Sequence, residues 1–112
     1  MTTMEQLQAA QAARPALASA TAEQKNRALD AMAGALKAHE AQILAANELD
    51  LADAEGKIST VMLDRLRLTP ERIDGMIEGI RQVAGLPDPV GRGLERVERP
   101  NGLIIEKVSV PM

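Results

Sequence analysis

The sequence predicts a mainly α-helical chain that ends in a β-hairpin, and two observations support this fold class. Every alanine lies at or before Ala84, and this part of the chain repeats apolar residues at the three- and four-residue spacing of amphipathic helices. Beyond Ala84, proline, glycine and β-branched residues take over, and Asn101-Gly102 separates two short runs of strand character. We therefore divide the chain into a helical segment, residues 1–85, and a Pro/Gly linker with a hairpin, residues 86–112.

Composition excludes several kinds of site and partner. The 112 residues include no cysteine and no Phe, Tyr or Trp, which excludes disulfides, zinc–cysteine sites, a cysteine nucleophile and aromatic base stacking within this stretch. The net charge is −3 without any basic tract, so nucleic-acid binding has little electrostatic support. No apolar run has transmembrane length, and the amino terminus lacks signal-peptide features. We expect a cytoplasmic protein that binds neither nucleic acid nor membrane.

Two helices are predicted in the first part of the chain. The first covers about residues 4–13, and Pro15 ends or kinks it before a short continuation, because proline lacks the backbone N–H and clashes with the preceding turn. Thr21 and Gln24 have the spacing of a capping box, so a second helix follows to about Lys37. The residues expected on its apolar face are Ala28, Leu29, Met32, Ala35 and Leu36.

A third helix is predicted from about Glu40 to Ala54, with Gly56 as the residue that ends it in a left-handed conformation. One face of this helix carries Ile43, Leu44, Asn47 and Leu51. A short helix over residues 60–66 is expected to begin after Ser59.

The last helix has the strongest signals. Thr69-Pro70-Glu71 supplies a cap, a proline at the first helical position and an acid near the positive helix end, and Gly85 ends the pattern. Its single apolar stripe consists of Ile73, Met76, Ile77, Ile80 and Val83. Burying each such side chain is worth about 1.5–3 kcal/mol, whereas ordering each backbone residue costs about 1–2 kcal/mol. The stripe therefore needs a partner surface, which the other helices supply in part.

A stiff linker over residues 86–91 leads into the predicted hairpin, whose strands run from Leu94 to Arg99 and from Leu103 to Val110. Asn101 and Gly102 both tolerate positive φ and are expected to form the turn. On the second strand one face carries Ile104, Glu106, Val108 and Val110, and the other carries Ile105, Lys107 and Ser109. Since an isolated hairpin is only marginally stable in water, this hairpin is expected to pack against another part of a protein.

Residue chemistry alone predicts no catalytic, cofactor-binding or metal-binding residue in this chain. Gly91-Arg92-Gly93 precedes no helix and is interpreted as a plain turn, and His39 as a surface or helix-capping residue. The acidic cluster is expected to face solvent rather than bind metal: Glu48, Asp50, Asp53 and Glu55. Four arginines are candidates for a phosphate, with ion pairs to Asp64, Glu71 and Asp74 as the alternative: Arg65, Arg67, Arg72 and Arg81.

Three stretches resemble one enzyme family, the γ-glutamyl phosphate reductases. Residues 23–29 resemble its K-N-x-x-L segment, and residues 43–52 resemble its I-L-x-A-N-x-x-D region. Residues 62–73 resemble M-L-D-R-L-x-L-T-x-x-R, which is the most specific of the three. Further similar stretches follow at the family spacing in residues 81–84, 86–91 and 106–111.

The resemblance implies that the chain is the amino-terminal part of an α/β aldehyde-dehydrogenase-like fold, which has a nucleotide domain, a catalytic domain and a β arm for subunit contacts. The implied reaction reduces L-glutamyl 5-phosphate with NADPH to L-glutamate 5-semialdehyde and phosphate, a step of proline biosynthesis. A cysteine thiolate would displace phosphate to form a thioester, and hydride transfer would then release the aldehyde.

The same resemblance implies that the cysteine, the cofactor-binding strands and the substrate pocket lie after Met112. The chain alone is then expected to be inactive and to bind no NADPH. Its partners would be the remainder of its own chain and, through the hairpin, a homo-oligomer. The alternative hypothesis is a stand-alone helical module whose exposed stripes bind a partner protein.

Overall fold

A computed structural model describes residues 1–111, and within this range the chain is mainly helical with a two-stranded antiparallel hairpin, as predicted. In chain order the elements are α1 (Thr3–Ala18), α2 (Ala22–Ala38), α3 (Glu40–Ala54), α4 (Thr60–Leu66), α5 (Pro70–Ala84), β1 (Gly93–Glu98) and β2 (Ile104–Val108). Contacts between Cα atoms divide the chain into two compact units. One unit is Lys25–Leu86, and the other combines residues 1–24 with the segment that begins at Pro87.

Pro15 does not end α1, and the predicted continuation beyond the proline is present. The helix runs through Pro15 to Ala18 as one element. Its amino terminus is fixed by a capping box, in which the Glu5 N–H donates to the Thr2 hydroxyl and the Thr2 N–H donates to the Glu5 carboxylate. At the other end, the Ser19 N–H and hydroxyl both donate to the Pro15 carbonyl, at 3.3 and 3.2 Å. These bonds hold the last turn closed after the proline.

The core of the Lys25–Leu86 unit forms where α2 and α5 meet. Ile73 is 0% exposed and Ile77 is 5% exposed, and both pack on Ala33 of α2. The partly buried side chains around them are Leu36, Ile43, Leu44 and Ile80. The predicted face of α3 is therefore used as expected, with Leu51 also buried. The predicted face of α5 is used only in part, because Met76 and Val83 are exposed.

The predicted face of α2 is only partly correct, because Leu29 and Leu36 are half-buried, whereas Ala28, Met32 and Ala35 are exposed. The sequence pattern places Met32 on the core side, but Met32 is exposed and the next residue, Ala33, takes the core position. Ala33 belongs to the same buried cluster as the two isoleucines of α5. A periodic pattern of alanines is compatible with several core-facing directions, so the sequence does not distinguish them.

The predicted helix caps are confirmed. The Gln24 N–H donates to the Thr21 hydroxyl at 3.1 Å, and the Thr21 N–H donates to the Gln24 side-chain oxygen at 2.8 Å. The Ser59 and Thr69 hydroxyls accept from the third residue of α4 and of α5, respectively. Gly56 has φ of +75°, the left-handed conformation expected of the residue that ends α3.

The hairpin is present, but its turn differs from the predicted one. Gly102 alone has positive φ, at +84°, whereas Asn101 does not. The Gly102 N–H donates to the Arg99 carbonyl, so Pro100 and Asn101 are the central residues of a four-residue turn. Proline fixes φ near −65°, which suits the first central position of a type I turn, and the left-handed Gly102 then follows as the fourth residue of that turn.

Ser109 holds the two ends of the hairpin together. Its hydroxyl accepts from the Arg92 N–H at 3.0 Å and donates to the Pro89 carbonyl. Its carbonyl accepts a hydrogen bond from the Gly91 N–H at 2.9 Å, and its N–H donates to the Arg92 carbonyl at 3.0 Å. The chain therefore enters and leaves the hairpin at one place, and residues 93–108 form a two-stranded ribbon closed at that end.

Candidate functional site

The most specific motif residues meet at the junction of α3, α4 and α5. Asn47 of α3 is only 6% exposed, and its side-chain amide bridges the segment between α4 and α5. Its Nδ2 donates to the Leu66 carbonyl at 2.9 Å, and its Oδ1 accepts from the Leu68 N–H at 2.7 Å. Both ends of the amide are therefore satisfied by backbone groups that have no partner within a helix.

Arg72 of α5 closes the same junction from the exposed side. Its Nη2 lies 3.2 and 3.1 Å from the two carboxylate oxygens of Asp64. Its Nη1 donates to the carbonyls of Arg67, at 2.6 Å, and of Asp64. A single guanidinium thus joins the carboxyl end of α4 to the first turn of α5, in the fork geometry that arginine provides and lysine does not.

This junction explains the motif residues as structural. Asn47, Asp64, Thr69 and Arg72 each use their polar atoms to fix the course of the chain between helices. None of these groups is paired as a nucleophile with a base. Asn47 could have been found from the sequence, since a polar residue within an apolar stripe needs a buried partner. Ser109 could not, because its role depends on residues distant in the chain.

The other candidate residues stay apart from one another. His39 is exposed at the start of α3, without a side-chain capping bond, and its Nδ1 lies 3.1 Å from the Gln42 Oε1. Gly91 lies in a turn with φ of +75°, as its plain-turn interpretation predicted. In the acidic cluster Asp53 pairs with Lys57 at 2.7 Å. Within residues 1–111 no three His, Cys, Asp or Glu side chains are grouped as metal ligands.

The arginine predictions have mixed outcomes. Arg72 pairs with Asp64, whereas Asp74 pairs with Lys37, at 2.9 Å, rather than with an arginine. Arg67 lies at the rim of an open groove of about 250 Å³ between α3 and α4. The other lining residues are Glu48, Leu51, Ala52, Glu55 and Leu63. With two carboxylates at its rim, the groove is poorly suited to a phosphate.

Two exposed groups have shifted pKa values, and both belong to helix termini. The pKa of Lys37 is raised, chiefly by its hydrogen bond to Glu40 and then by Asp74. The pKa of Glu5 is lowered by hydrogen bonds from the backbone and side chain of Thr2. Neither group is buried or lies in the groove, so these shifts indicate helix capping and surface pairing rather than acid–base chemistry.

No helix in the described part of the chain has the length and apolar character needed to cross a membrane.

Comparison with known proteins identifies relatives of the chain by sequence. No model of a known protein family matches the chain. A γ-glutamyl phosphate reductase of Rhodopseudomonas palustris is 53% identical over 104 residues, which are 92% of this chain and 24% of that protein. A γ-glutamyl phosphate reductase of Streptococcus pneumoniae is 52% identical over 108 residues, which are 96% of this chain and 26% of that protein.

Two solved structures have the same fold over this region. The γ-glutamyl phosphate reductase of Thermotoga maritima matches 87% of this chain and 24% of its own, with a TM-score of 0.83 and 39% identity. That of Saccharomyces cerevisiae matches 99% of this chain and 29% of its own, with a TM-score of 0.84 and 34% identity. Over more than nine-tenths of its length, the chain is therefore a homologue of γ-glutamyl phosphate reductase and corresponds to about a quarter of that protein.

Proposed function

We propose that this chain is the amino-terminal segment of a cytoplasmic, NADPH-dependent γ-glutamyl phosphate reductase. The parent protein would convert L-glutamyl 5-phosphate to L-glutamate 5-semialdehyde and phosphate in proline biosynthesis. The observation that carries this proposal is the 52–53% identity to such reductases over more than nine-tenths of the chain. The corresponding TM-scores of 0.83 and 0.84 support it independently.

Within that parent the segment has a structural role. All residues of α1 are exposed, including Met4, Leu7 and Leu17. Every residue of β1 and β2 is exposed as well, including Ile104 and Ile105. Leaving large apolar side chains in water forgoes about 1.5–3 kcal/mol for each one. These exposed faces support packing of residues 1–85 on a nucleotide-binding domain and use of residues 86–112 as an arm between subunits.

NADPH has no fitting site among the described residues. A dinucleotide pyrophosphate is held by a glycine-rich turn that leads from a strand into a helix amino terminus. Gly91-Arg92-Gly93 leads instead into β1, and the Gly91 N–H is already bonded to the Ser109 carbonyl. We therefore assign cofactor binding, and the reacting cysteine, to the remainder of the parent protein. No catalytic, cofactor-binding or metal-binding role falls to a residue of this chain.

A hybrid enzyme tests this assignment. The hybrid is the S. pneumoniae reductase in which this chain replaces the 108-residue region that it matches. We expect the hybrid to catalyse phosphate- and NADP-dependent oxidation of the semialdehyde within about tenfold of the parent rate, because the same junction residues would place the same helices. The isolated chain, assayed alongside, is expected to be inactive. A folded hybrid without activity, or an active isolated chain, would contradict the assignment.

A further inference from the structure

Helix α5 presents a second apolar face that the rest of the Lys25–Leu86 unit leaves largely exposed. Its core ridge consists of Ile73, Ile77 and Ile80. Beside that ridge Met76 is 46% exposed and Val83 is 54% exposed, although both belong to the apolar stripe predicted from the sequence. The Lys25–Leu86 unit thus uses only part of the stripe for its own core.

Two glycines complete this second face. Gly75, Gly79 and Val83 follow one another at four-residue steps, and Met76 precedes Gly79 by three residues, so the four positions lie together on one side of the helix. A Cβ added at either glycine would meet no atom within 4 Å, and neither glycine has positive φ. Glycine destabilises a helix interior relative to alanine, and nothing within the Lys25–Leu86 unit requires glycine at these two positions. Because the two glycines have no side chains, they leave room beside Met76 and Val83 for the backbone of another segment to approach closely.

We propose that the face formed by Gly75, Met76, Gly79 and Val83 is a docking surface for an apolar segment of the remainder of the parent reductase. This inference rests on the proposed function and deepens it by naming the contact. The matched region makes up 24–29% of the related proteins, so about three quarters of such a protein is available in the same polypeptide to cover the face. The uncovered residues are apolar or lack a side chain, which fits an apolar occupant rather than a charged one.

Substitution of both glycines by alanine distinguishes an effect on docking from an effect on helix stability, because the two effects change the Tm in opposite directions. In the isolated chain Gly75→Ala with Gly79→Ala is expected to raise the Tm by about 4–8 °C, since alanine is the better helix former and has room. In the hybrid enzyme the same pair is expected to lower the Tm by about 3–8 °C, because two methyl groups would overfill a close contact.

Gly34 of α2 supplies the matched control. It also lies within a helix and has open space for an added methyl group, but its helical neighbours are Asp30, Ala31, Lys37 and Ala38 rather than large apolar residues. Gly34→Ala is expected to raise the Tm of both the isolated chain and the hybrid. If the hybrid is inactive, the proposed function fails and the docking surface with it. If the hybrid is active and the α5 pair raises its Tm as Gly34→Ala does, the docking surface alone is overturned.

A second copy of the chain is the competing occupant. Sedimentation of the isolated chain, with and without the α5 substitutions, distinguishes it. We expect the substitutions to leave the association state unchanged. A dimer that the α5 pair dissociates and Gly34→Ala does not would assign the face to a second copy and overturn the proposal.

Discussion

Replacing Ile77 by aspartate is expected to unfold most of the Lys25–Leu86 unit. Ile77 is 5% exposed and packs in the cluster with Ala33 and Ile73, so the new carboxylate would lie among apolar atoms without a partner. A loss of about 4 kcal/mol or more is expected, which matches or exceeds the stability of a unit of this size, since small domains lie at or below the lower end of the usual range of about 5–15 kcal/mol. Far-UV circular dichroism of the isolated chain should therefore show a large loss of helicity at about 25 °C.

Met76→Asp is the control for this prediction. It places the same charge on the neighbouring residue of α5, which is 46% exposed. We expect a cost of about 1 kcal/mol or less, mainly from helix propensity. Equal melting curves for the two variants would mean that α5 does not bury Ile77 as described.

Replacing Asn47 by aspartate is expected to cost about 2–4 kcal/mol near neutral pH. The Leu68 N–H keeps an acceptor, but the donor to the Leu66 carbonyl is lost and a carboxylate oxygen faces that carbonyl instead. The buried carboxyl takes up its proton at a higher pH than the same group in the unfolded chain and can then donate again, so the cost should shrink as the pH falls towards about 4 and stay constant below it. Urea unfolding, followed by circular dichroism at several pH values, measures both effects.

Asn26→Asp is the matched control for the same charge change. Asn26 lies in the second turn of α2 and is only half-buried, so a carboxylate there keeps its contact with water. Its substitution should change stability by no more than about 0.5 kcal/mol. Equal costs at the two positions, or a cost at position 47 that does not vary with pH, would show that the buried amide does not hold the junction.

Local signals predicted most of the fold because they act within a few residues. The capping pairs at Thr21 and Thr69, and the left-handed Gly56, depend only on neighbours in the chain, and all three are found in the structure. Pro15 did not end α1, and the helix reaches Ala18 as the predicted continuation allowed. Ala33 lies in the core in place of Met32, because the side of α2 that faces the core is decided by tertiary packing rather than by local pattern.

The junction of α3, α4 and α5 was only half predictable. Asn47 stood out as a polar residue on an apolar face, and the family resemblance singled out Asp64 and Arg72. The sequence did not reveal that all three act on the same few backbone groups, since Asn47 and Leu66 are nineteen residues apart. That convergence is a property of tertiary packing. It also explains how a family motif can contain charged residues without containing a reaction centre.

The central claim is that the exposed faces of this chain close against the remainder of a reductase. Amide hydrogen exchange of α1 and of the hairpin, compared between the isolated chain and the hybrid enzyme, tests it most directly. We predict rapid exchange of residues 3–18 and 93–108 in the isolated chain, slow exchange in the core of Lys25–Leu86, and protection of all three in the hybrid. Strong protection of α1 and the hairpin in the isolated, monomeric chain would contradict the claim.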